Sequence, residues 1–368
     1  MKALAAVVEA VKQPFQLEYV DLPEPGDDEV MVRIVGVGLC HTDLASKDGL
    51  VDAPFPNVFG HEGAGIVERV GRSVTKVAPG DHVVLGPAFD GTCPHCLSGE
   101  PMYCDHFVAL NFQGDPDGPH AARENGDRAR LGYFGQSSFA QYAVANERNT
   151  IKVRKDVPLR LLGPLGCGIQ TGAGTVMNGI RPKAGSSIAV IGMGPVGLAA
   201  IMGAQVCGCS TLIAIDQVDA RLDTARELGA THVINTKQVE NLGEAIRAIA
   251  PRGVDAIVDA AGVNALIGAA IGGLAILGHI ALVAVPSVAG RQLELPWLPF
   301  LLAGQSVQGY IEGNAISGIF VPQLIELYQQ GRFPFDRLIS FYPFDKIEQA
   351  VADQHSGKII KAVLEMEA

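Results

Sequence analysis

Six residues, Gly192-Met193-Gly194-Pro195-Val196-Gly197, constrain this chain more than any other stretch. Before them, Ser187-Ile188-Ala189-Val190-Ile191 is a short apolar run with the composition of a buried strand. After them, Leu198-Ala199-Ala200-Ile201 carries no turn residue, as expected of an opening helix. Thr211-Leu212-Ile213-Ala214-Ile215 then forms a second strand pattern that ends on Asp216. Strand, glycine turn, helix, strand and an acid about 20 residues on make the fingerprint of a dinucleotide-binding βαβ unit. Gly192 permits the tight turn, Gly194 lets backbone approach a pyrophosphate, and Gly197 lets helix and strand pack closely. The helix N-terminus then offers free N–H groups and partial positive charge to the phosphates.

Asp216 bears on the choice of dinucleotide. A carboxylate there accepts hydrogen bonds from a ribose 2′-hydroxyl and repels a 2′-phosphate. Gln217 follows, so no Arg stands next to it to receive such a phosphate, and Arg221 is placed to help the ribose. The expectation is NAD rather than NADP.

A chain of 368 residues suggests roughly two domains, and 48% hydrophobic residues suffice for two cores. Net charge of −11 argues against nucleic acid or an anionic membrane surface as partner. The apolar run before Glu9 is six residues long, too short for a secretion signal. Residues 260–290 carry no formal charge, yet their glycines, Asn264, His279 and Pro286 fit a small-residue helix and a buried strand at 280–285 better than a lipid span. The expected location is cytoplasmic.

The first half is punctuated by glycines between short Val/Ile runs such as residues 30–35, which suggests a β-rich, barrel-like domain. From about Gly166, strands alternate with helical stretches at 222–228 and 245–250, and a further strand is expected at 254–259. That alternation is α/β, a doubly wound parallel sheet. A helix is expected at 321–330 and a late strand at 359–364. Residues 115–130 are polar and rich in Gly and Pro, and are expected to form a surface loop.

Seven cysteines stand at 40, 93, 96, 104, 167, 207 and 209. Without a secretion signal, metal ligation explains them better than disulfides. Cys93, Cys96 and Cys104 lie on one Gly- and Pro-containing loop and suit a closed tetrahedral zinc site. Asp90, three residues before Cys93, is the natural fourth ligand, and His95 competes for the place. Cys40, His61 and Cys167 are scattered, but their contexts are rich. Cys40-His41-Thr42-Asp43 gathers a thiol, an imidazole, a hydroxyl and a carboxylate, and Gly60-His61-Glu62-Gly63 sets His and Glu on a glycine-rich turn. Three protein ligands with an open fourth position are the pattern of a catalytic zinc.

These motifs, with Asp81-His82-Val83-Val84 and the fingerprint, resemble the zinc-dependent medium-chain alcohol dehydrogenases over essentially the whole chain. The segments Phe134-Gly135-Gln136-Ser137-Ser138-Phe139 and Leu162-Gly163-Pro164-Leu165-Gly166-Cys167-Gly168-Ile169-Gln170-Thr171-Gly172-Ala173-Gly174 look most like the aryl-alcohol (benzyl-alcohol) dehydrogenases and their terpene-alcohol relatives. The resemblance implies a GroES-like catalytic domain from residues 1–168 and 312–368, with a zinc lobe at about 90–104. It implies a Rossmann domain at 169–311 between the two. It further implies a catalytic zinc on Cys40, His61 and Cys167, with Glu62 beside it, Asp43 orienting His61 and Thr42 bonding the substrate oxygen. Thr171 and Val196 would pack behind the nicotinamide, and His41 and Lys361 would approach the pyrophosphate. Val283, Val285 and residues 310–312 would line the carboxamide. Asp90 stands where the family usually has Cys. Ala45 stands where many animal members have a relay His, which leaves Thr42, the ribose and His41 as an alternative proton path.

The activity expected is NAD-dependent oxidation of a primary alcohol to an aldehyde, with aryl or allylic alcohols preferred. Phe55, Phe59, Phe112 and Trp297 are candidate wall residues. Two zinc ions per subunit and a homodimer or homotetramer are expected. The rivals are a thiol-adduct (glutathione-dependent) formaldehyde dehydrogenase, a geraniol-type dehydrogenase, a zinc-free quinone reductase and a non-enzymatic dinucleotide-binding relative. The last two should lack the zinc ligands that this chain carries.

Overall fold

The strand Glu29–Gly38 organises the first half of the molecule. Val30, Met31, Val32, Ile34 and Val37 are buried, and neighbours flank the strand on both sides. Gly63–Val70 and Tyr142–Asn146 pair with it antiparallel, and so does Lys361–Glu365 from the chain's other end. The sheet runs Thr150–Lys152, His82–Leu85, Gly63–Val70, Glu29–Gly38, Lys361–Glu365, Ile339–Pro343. Beside it, Lys2–Val8, Gln16–Asp21, His120–Arg123, Arg128–Arg130 and Asn57–Val58 close into a small barrel.

This computed structural model describes residues 1–113, 119–286 and 292–366. The chain divides into two compact units. One comprises Met1–Cys167, Ile316–Gln323 and Asp336–Ala368; the other comprises Gly168–Ala315 and Leu324–Phe335. The sequence reading divides the chain at 168 and 312, and the two compact units divide at 167/168, 315/316, 323/324 and 335/336. Residues 312–315 belong with the second unit because Gly313 lies against the helix Gly168–Gly174: a Cβ on it would sit 2.5 Å from the Gln170 carbonyl oxygen. Residues 324–335 join that unit too, where Tyr328 and Phe335 stack edge to face at 4.9 Å.

Among the described residues the second unit holds six strands, all paired in parallel, in the order His232–Asn235, Thr211–Asp216, Ser187–Ile191, Val254–Asp259, Leu274–Leu282, Ser306–Gly309. Numbered along the chain, that order is the doubly wound 3-2-1-4-5-6, with the switch point beside the fingerprint strand. Its core joins Ile191, Ile213, Ile215, Ile257 and Ile280 from the strands to Ile246 and Ile267 from the helices. Continuous apolar runs on the central strands reflect burial on both faces.

Three local expectations are corrected. Residues 120–123 and 128–130 form a β-hairpin, not a loop, because Ala121 and Ala129 alternate inward and are fully buried. Asn125-Gly126 makes the turn, with Gly126 at φ +87°. Residues 115–118 of that stretch lie outside the described residues, as do residues 287–290 of the chargeless segment. That segment does contain a helix, Asn264–Ala270, but its strand is Leu274–Leu282 and not 280–285. The helix expected at 321–330 begins earlier and spans Ser317–Gln329. None of the described helices is long and apolar enough to cross a membrane.

Candidate metal centres and dinucleotide site

The central strand ends at Gly38, and the chain reaches Cys40 two residues later. Gly38 is required there, since a Cβ would lie 1.9 Å from a Glu62 carboxylate oxygen. The partner strand starts at Gly63, directly after His61 and Glu62. Cys167 follows the tight turns Leu159–Leu161 and Gly163–Gly166. Three segments remote in sequence thereby meet at one sheet end.

Ligand atoms of Cys40, His61, Glu62 and Cys167 all lie within 4.8 Å of one another. Two sulfurs on one tetrahedral zinc, each at roughly 2.3 Å, would stand about 3.8 Å apart, so the cluster fits the ion. His61 supplies the sharpest sign. Its Nδ1 lies 2.8 Å from Asp43 Oδ1, while its buried Nε2 has no hydrogen-bond partner among the described residues. A buried orphan nitrogen is costly unless something coordinates it. Asp43 is itself fully buried and also accepts from the backbone N–H groups of Gly60 (3.1 Å) and Cys40 (3.0 Å). Its carboxylate therefore fixes both ligand-bearing turns.

The electrostatics suit a dication. A hydrogen bond from Cys167 holds the Cys40 thiol well below its ordinary range, and the His61 charge adds to this, against the effect of burial. Burial pushes Glu62 up to about 7, although Lys361 pulls it down. Burial disfavours a charged His61, yet Asp43 and Cys40 together raise its pKa well above the usual value. A pocket that draws a proton onto a buried imidazole is electronegative, and a bound cation would answer the same field.

Lys361, expected to approach a pyrophosphate, has its ammonium buried 2.5 Å from Glu62 Oε2 and donates to the Leu39 carbonyl at 3.0 Å. A buried ammonium needs a counter-charge, and Glu62 supplies it. Thr42 sits at the metal cluster, with Oγ1 3.7 Å from Cys40 Sγ. His41 opens the helix His41–Lys47 and is exposed.

Residues 134–139, singled out in the sequence only for their resemblance, grip His61 from the other side, a role sequence reasoning missed. Phe134 stacks on its ring at 4.3 Å, and Gln136 Nε2 donates to its carbonyl at 3.0 Å while Oε1 accepts from Gly63 N at 3.1 Å. Phe134 holds φ +51° between Gly132 at +91° and Gly135 at +63°, and Ser137 follows at +50°. Such strain in a side-chain-bearing residue persists only where the surroundings impose it. Gly132 and Gly135 around an aromatic pair were the available signal. Tyr133 packs on Phe59 at 4.9 Å, and Phe112 lies 5.0 Å from Phe134. Phe55 joins through Phe59 at 5.8 Å. Three of the four expected wall residues thus share one aromatic cluster with His61. Trp297 is 83% exposed on the helix Trp297–Leu302 of the second unit.

The cysteine loop brings its four candidate ligands together. Ligand atoms of Asp90, Cys93, Cys96 and Cys104 all lie within 4.8 Å of one another. Cys93 caps the short helix Pro94–Leu97 and accepts from Cys96 N, and Cys104 Sγ accepts from Asp90 N and His106 N. Burial holds Cys96 up at about 12 and raises Cys104, whereas backbone donors from Cys93 and Thr92 hold Asp90 far down. Stacked thiols that cannot all ionise alone are what a metal ion resolves. His95 turns to Asp105 at 2.7 Å, and these two exposed residues form a second group with buried Cys93.

In the second unit the fingerprint has its expected form. Gly192 adopts φ +92°, and a Cβ on Gly197 would meet the Gly192 carbonyl oxygen at 1.8 Å. The helix Pro195–Val206 begins at Gly194 with no side-chain cap, leaving its first N–H groups to a ligand. Asp216 Oδ2 accepts from Met193 N at 2.7 Å, and Oδ1 accepts from Gln217 N and Val218 N at 2.7 and 3.0 Å. Arg221 Nε is buried without a hydrogen-bond partner among the described residues, so a donor is held in reserve near the strand end. Val196 packs its carbonyl against Gly172, next to Thr171, whose hydroxyl donates to buried Glu312 at 3.3 Å. Val283 N donates to the Asp259 carbonyl at 3.1 Å, and the Val285 carbonyl lies close against Gly262.

Comparison with known proteins agrees with both units. A family model described as the alcohol dehydrogenase GroES-like domain matches residues 26–155, and one described as zinc-binding dehydrogenase matches residues 195–330. A geraniol dehydrogenase from Castellaniella defragrans is 40% identical over 99% of this chain and 98% of its own length. The crystal structure of benzyl alcohol dehydrogenase from Acinetobacter calcoaceticus shares 42% identity, with TM-score 0.94 and full coverage of both chains. That of an alcohol dehydrogenase zinc-binding domain protein from Burkholderia ambifaria shares 46% identity, with TM-score 0.97 and full coverage of both. The chain belongs to the zinc-dependent medium-chain alcohol dehydrogenase family.

Proposed function

We propose that the protein oxidises primary alcohols to aldehydes with NAD, preferring aryl or allylic alcohols. The observation that carries this reading is His61: Nδ1 is fixed by Asp43, and the buried Nε2 is left open beside Cys40 and Cys167. On this reading Cys40, His61 and Cys167 hold a catalytic zinc, and Asp90, Cys93, Cys96 and Cys104 hold a structural one. Zinc in the first pocket supplies Lewis acidity that lowers the alcohol's pKa toward neutrality, and NAD supplies the hydride acceptor.

The chain's own residues supply the rest. Asp43 and Phe134 fix the His61 ring from its edge and its face. Thr42 Oγ1, beside Cys40, accepts the proton that the alcohol loses as it gives up its own hydroxyl proton, with exposed His41 as the onward acceptor toward solvent. Asp216 and Arg221 receive the ribose, and Asp216 disfavours a 2′-phosphate.

Support for aryl or allylic substrates comes from the rings of Phe112, Tyr133 and Phe134 gathered on His61, and from the geraniol and benzyl alcohol dehydrogenases among the relatives. A second reading is favoured by a relative in fission yeast, Schizosaccharomyces pombe. Described as a probable S-(hydroxymethyl)glutathione dehydrogenase, it is 34% identical over 98% of this chain. Turnover of benzyl alcohol, geraniol, ethanol and S-(hydroxymethyl)glutathione, each with NAD and NADP, separates the two. The proposal expects the first two with NAD to lead; preferred turnover of the glutathione adduct would establish the rival.

For assembly, we propose a homo-oligomer built on the sheet edge of the second unit. The edge strand Ser306–Gly309 has one neighbour among the described strands. Near it in sequence or in the sheet stand exposed Ile276, Leu277, Trp297, Leu298, Leu301 and Leu302. An open edge flanked by that much apolar surface is a pairing template, and a second copy offers the same edge in return.

A further inference from the structure

We propose that His106 is the positioning residue that makes Asp90 a single-oxygen ligand of the cysteine lobe. The inference rests on the reading of that lobe as a zinc site.

A carboxylate in place of a fourth thiolate raises a geometric problem. It can bind through one oxygen or two and can rotate between them, whereas a thiolate offers one atom. A carboxylate has about four lone-pair positions, two on each oxygen. In this structure donors other than the cysteine thiols, which also face the carboxylate, take three. Oδ1 accepts from Thr92 N at 2.7 Å and from Cys93 N at 2.9 Å. Oδ2 accepts from His106 Nδ1 at 2.6 Å. One position remains, on Oδ2, and a carboxylate oxygen of Asp90 lies within 4.8 Å of all three sulfurs. The two backbone donors close Oδ1, so only the imidazole decides whether Oδ2 keeps one open position or two.

His106 also reaches the cluster from its backbone. Its N–H donates to Cys104 Sγ at 3.4 Å, as does the N–H of Asp90. Two of the four proposed ligands are therefore oriented by one residue, through two different atoms. The imidazole is 65% exposed and Asp90 only 16%. The ring can thus be replaced without opening the interior, and its effect is separable from folding. An exposed pair of this kind adds little to stability by itself. Its influence lies in aiming the ligand, and outer partners of metal ligands typically alter metal affinity by about 10- to 100-fold.

The test is zinc release from the full-length protein to a chromophoric chelator at fixed pH, comparing wild type with H106F, H106N, D90C and D90C/H106F. The phase that disappears in C167A belongs to the Cys40 pocket; the remaining phase reports the lobe. H106F should release lobe zinc about tenfold faster, while H106N, which keeps a donor, should stay near wild type. In the D90C background a thiolate replaces the carboxylate, and H106F should then change the rate less than twofold. Equal acceleration in both backgrounds would show that His106 acts on the loop and not through Asp90, and no acceleration in wild type would overturn the proposal outright. Protein that holds a single zinc, lost entirely in C167A, would instead remove the structural-zinc reading itself.

Discussion

His61 and Asp43 are joined by a 2.8 Å hydrogen bond in which neither side chain is exposed. The bond fixes the tautomer: a proton on Nδ1 leaves Nε2 as a ligand atom. Replacing Asp43 with Ala should therefore lower zinc affinity at the Cys40 pocket by about 10- to 100-fold. Zinc content after dialysis against graded chelator is the measurement. Retention equal to wild type would show that Phe134 and Gln136 suffice to aim the ring.

Cofactor choice is tied to the turn itself. Asp216 anchors Met193, Gln217 and Val218 through their backbone N–H groups, so it shapes the phosphate turn as well as receiving a ribose. D216G with Q217R should raise the ratio of NADP to NAD affinity, since repulsion is removed and a cation added. It should also lower the melting temperature, because buried backbone donors lose partners at about 1–3 kcal/mol each. Fluorescence titration with both reduced cofactors and a thermal scan check the two effects. Wild-type protein that binds both cofactors equally would contradict the role given to Asp216.

Much of this was legible in the sequence because it is local. The fingerprint, the strands at 187–191 and 254–259 and the cysteine lobe are each held within a few dozen residues, so spacing alone expresses them. The parts not legible depend on distant partners. Lys361 and Glu62 are paired across almost the whole chain, and nothing near either residue announces the other. The clamp of Phe134 and Gln136 on His61 depends on left-handed backbone that is visible only once folded. Trp297 is a wall candidate on residue type alone, and only the fold shows it exposed on its own short helix.

Wall residues differ in what they can report. Phe59 is fully buried, so F59A should destabilise by about 3–5 kcal/mol and confound any kinetic reading. Phe112 is only partly buried against the same cluster. F112A should leave the fold intact and raise KM for benzyl alcohol more than for ethanol. Steady-state kinetics on both alcohols decide this; equal changes for the two would place Phe112 outside the substrate wall.

Acid stability should depend on Asp353. Its carboxylate accepts from Lys358, Tyr342 and Gln349, each at 2.8 Å, and these bonds hold its pKa below the usual value, Lys358 foremost. An acid depressed in the folded state contributes stability that is complete above its unfolded pKa of about 3.9 and is lost as pH falls through the folded value. D353N should therefore lower the urea midpoint at pH 6 and leave it nearly unchanged relative to wild type at the acid end. A constant offset across that range would assign the loss to shape and not to charge.

The apolar edge of the second unit predicts assembly. L301E with L302E places charges on exposed positions and should shift the protein to a smaller species by sedimentation, with the thermal midpoint of the isolated chain little changed. Identical sedimentation of variant and wild type would move the interface elsewhere.

The most direct measurement of the central claim is zinc content together with benzyl alcohol-dependent NAD reduction in wild type and C167A. Wild type should carry two zinc ions per chain and reduce NAD. C167A should keep its secondary structure, carry one zinc and lose turnover by several orders of magnitude. C167A protein that retains both its zinc and its turnover would contradict the assignment of Cys40, His61 and Cys167 as the catalytic metal site.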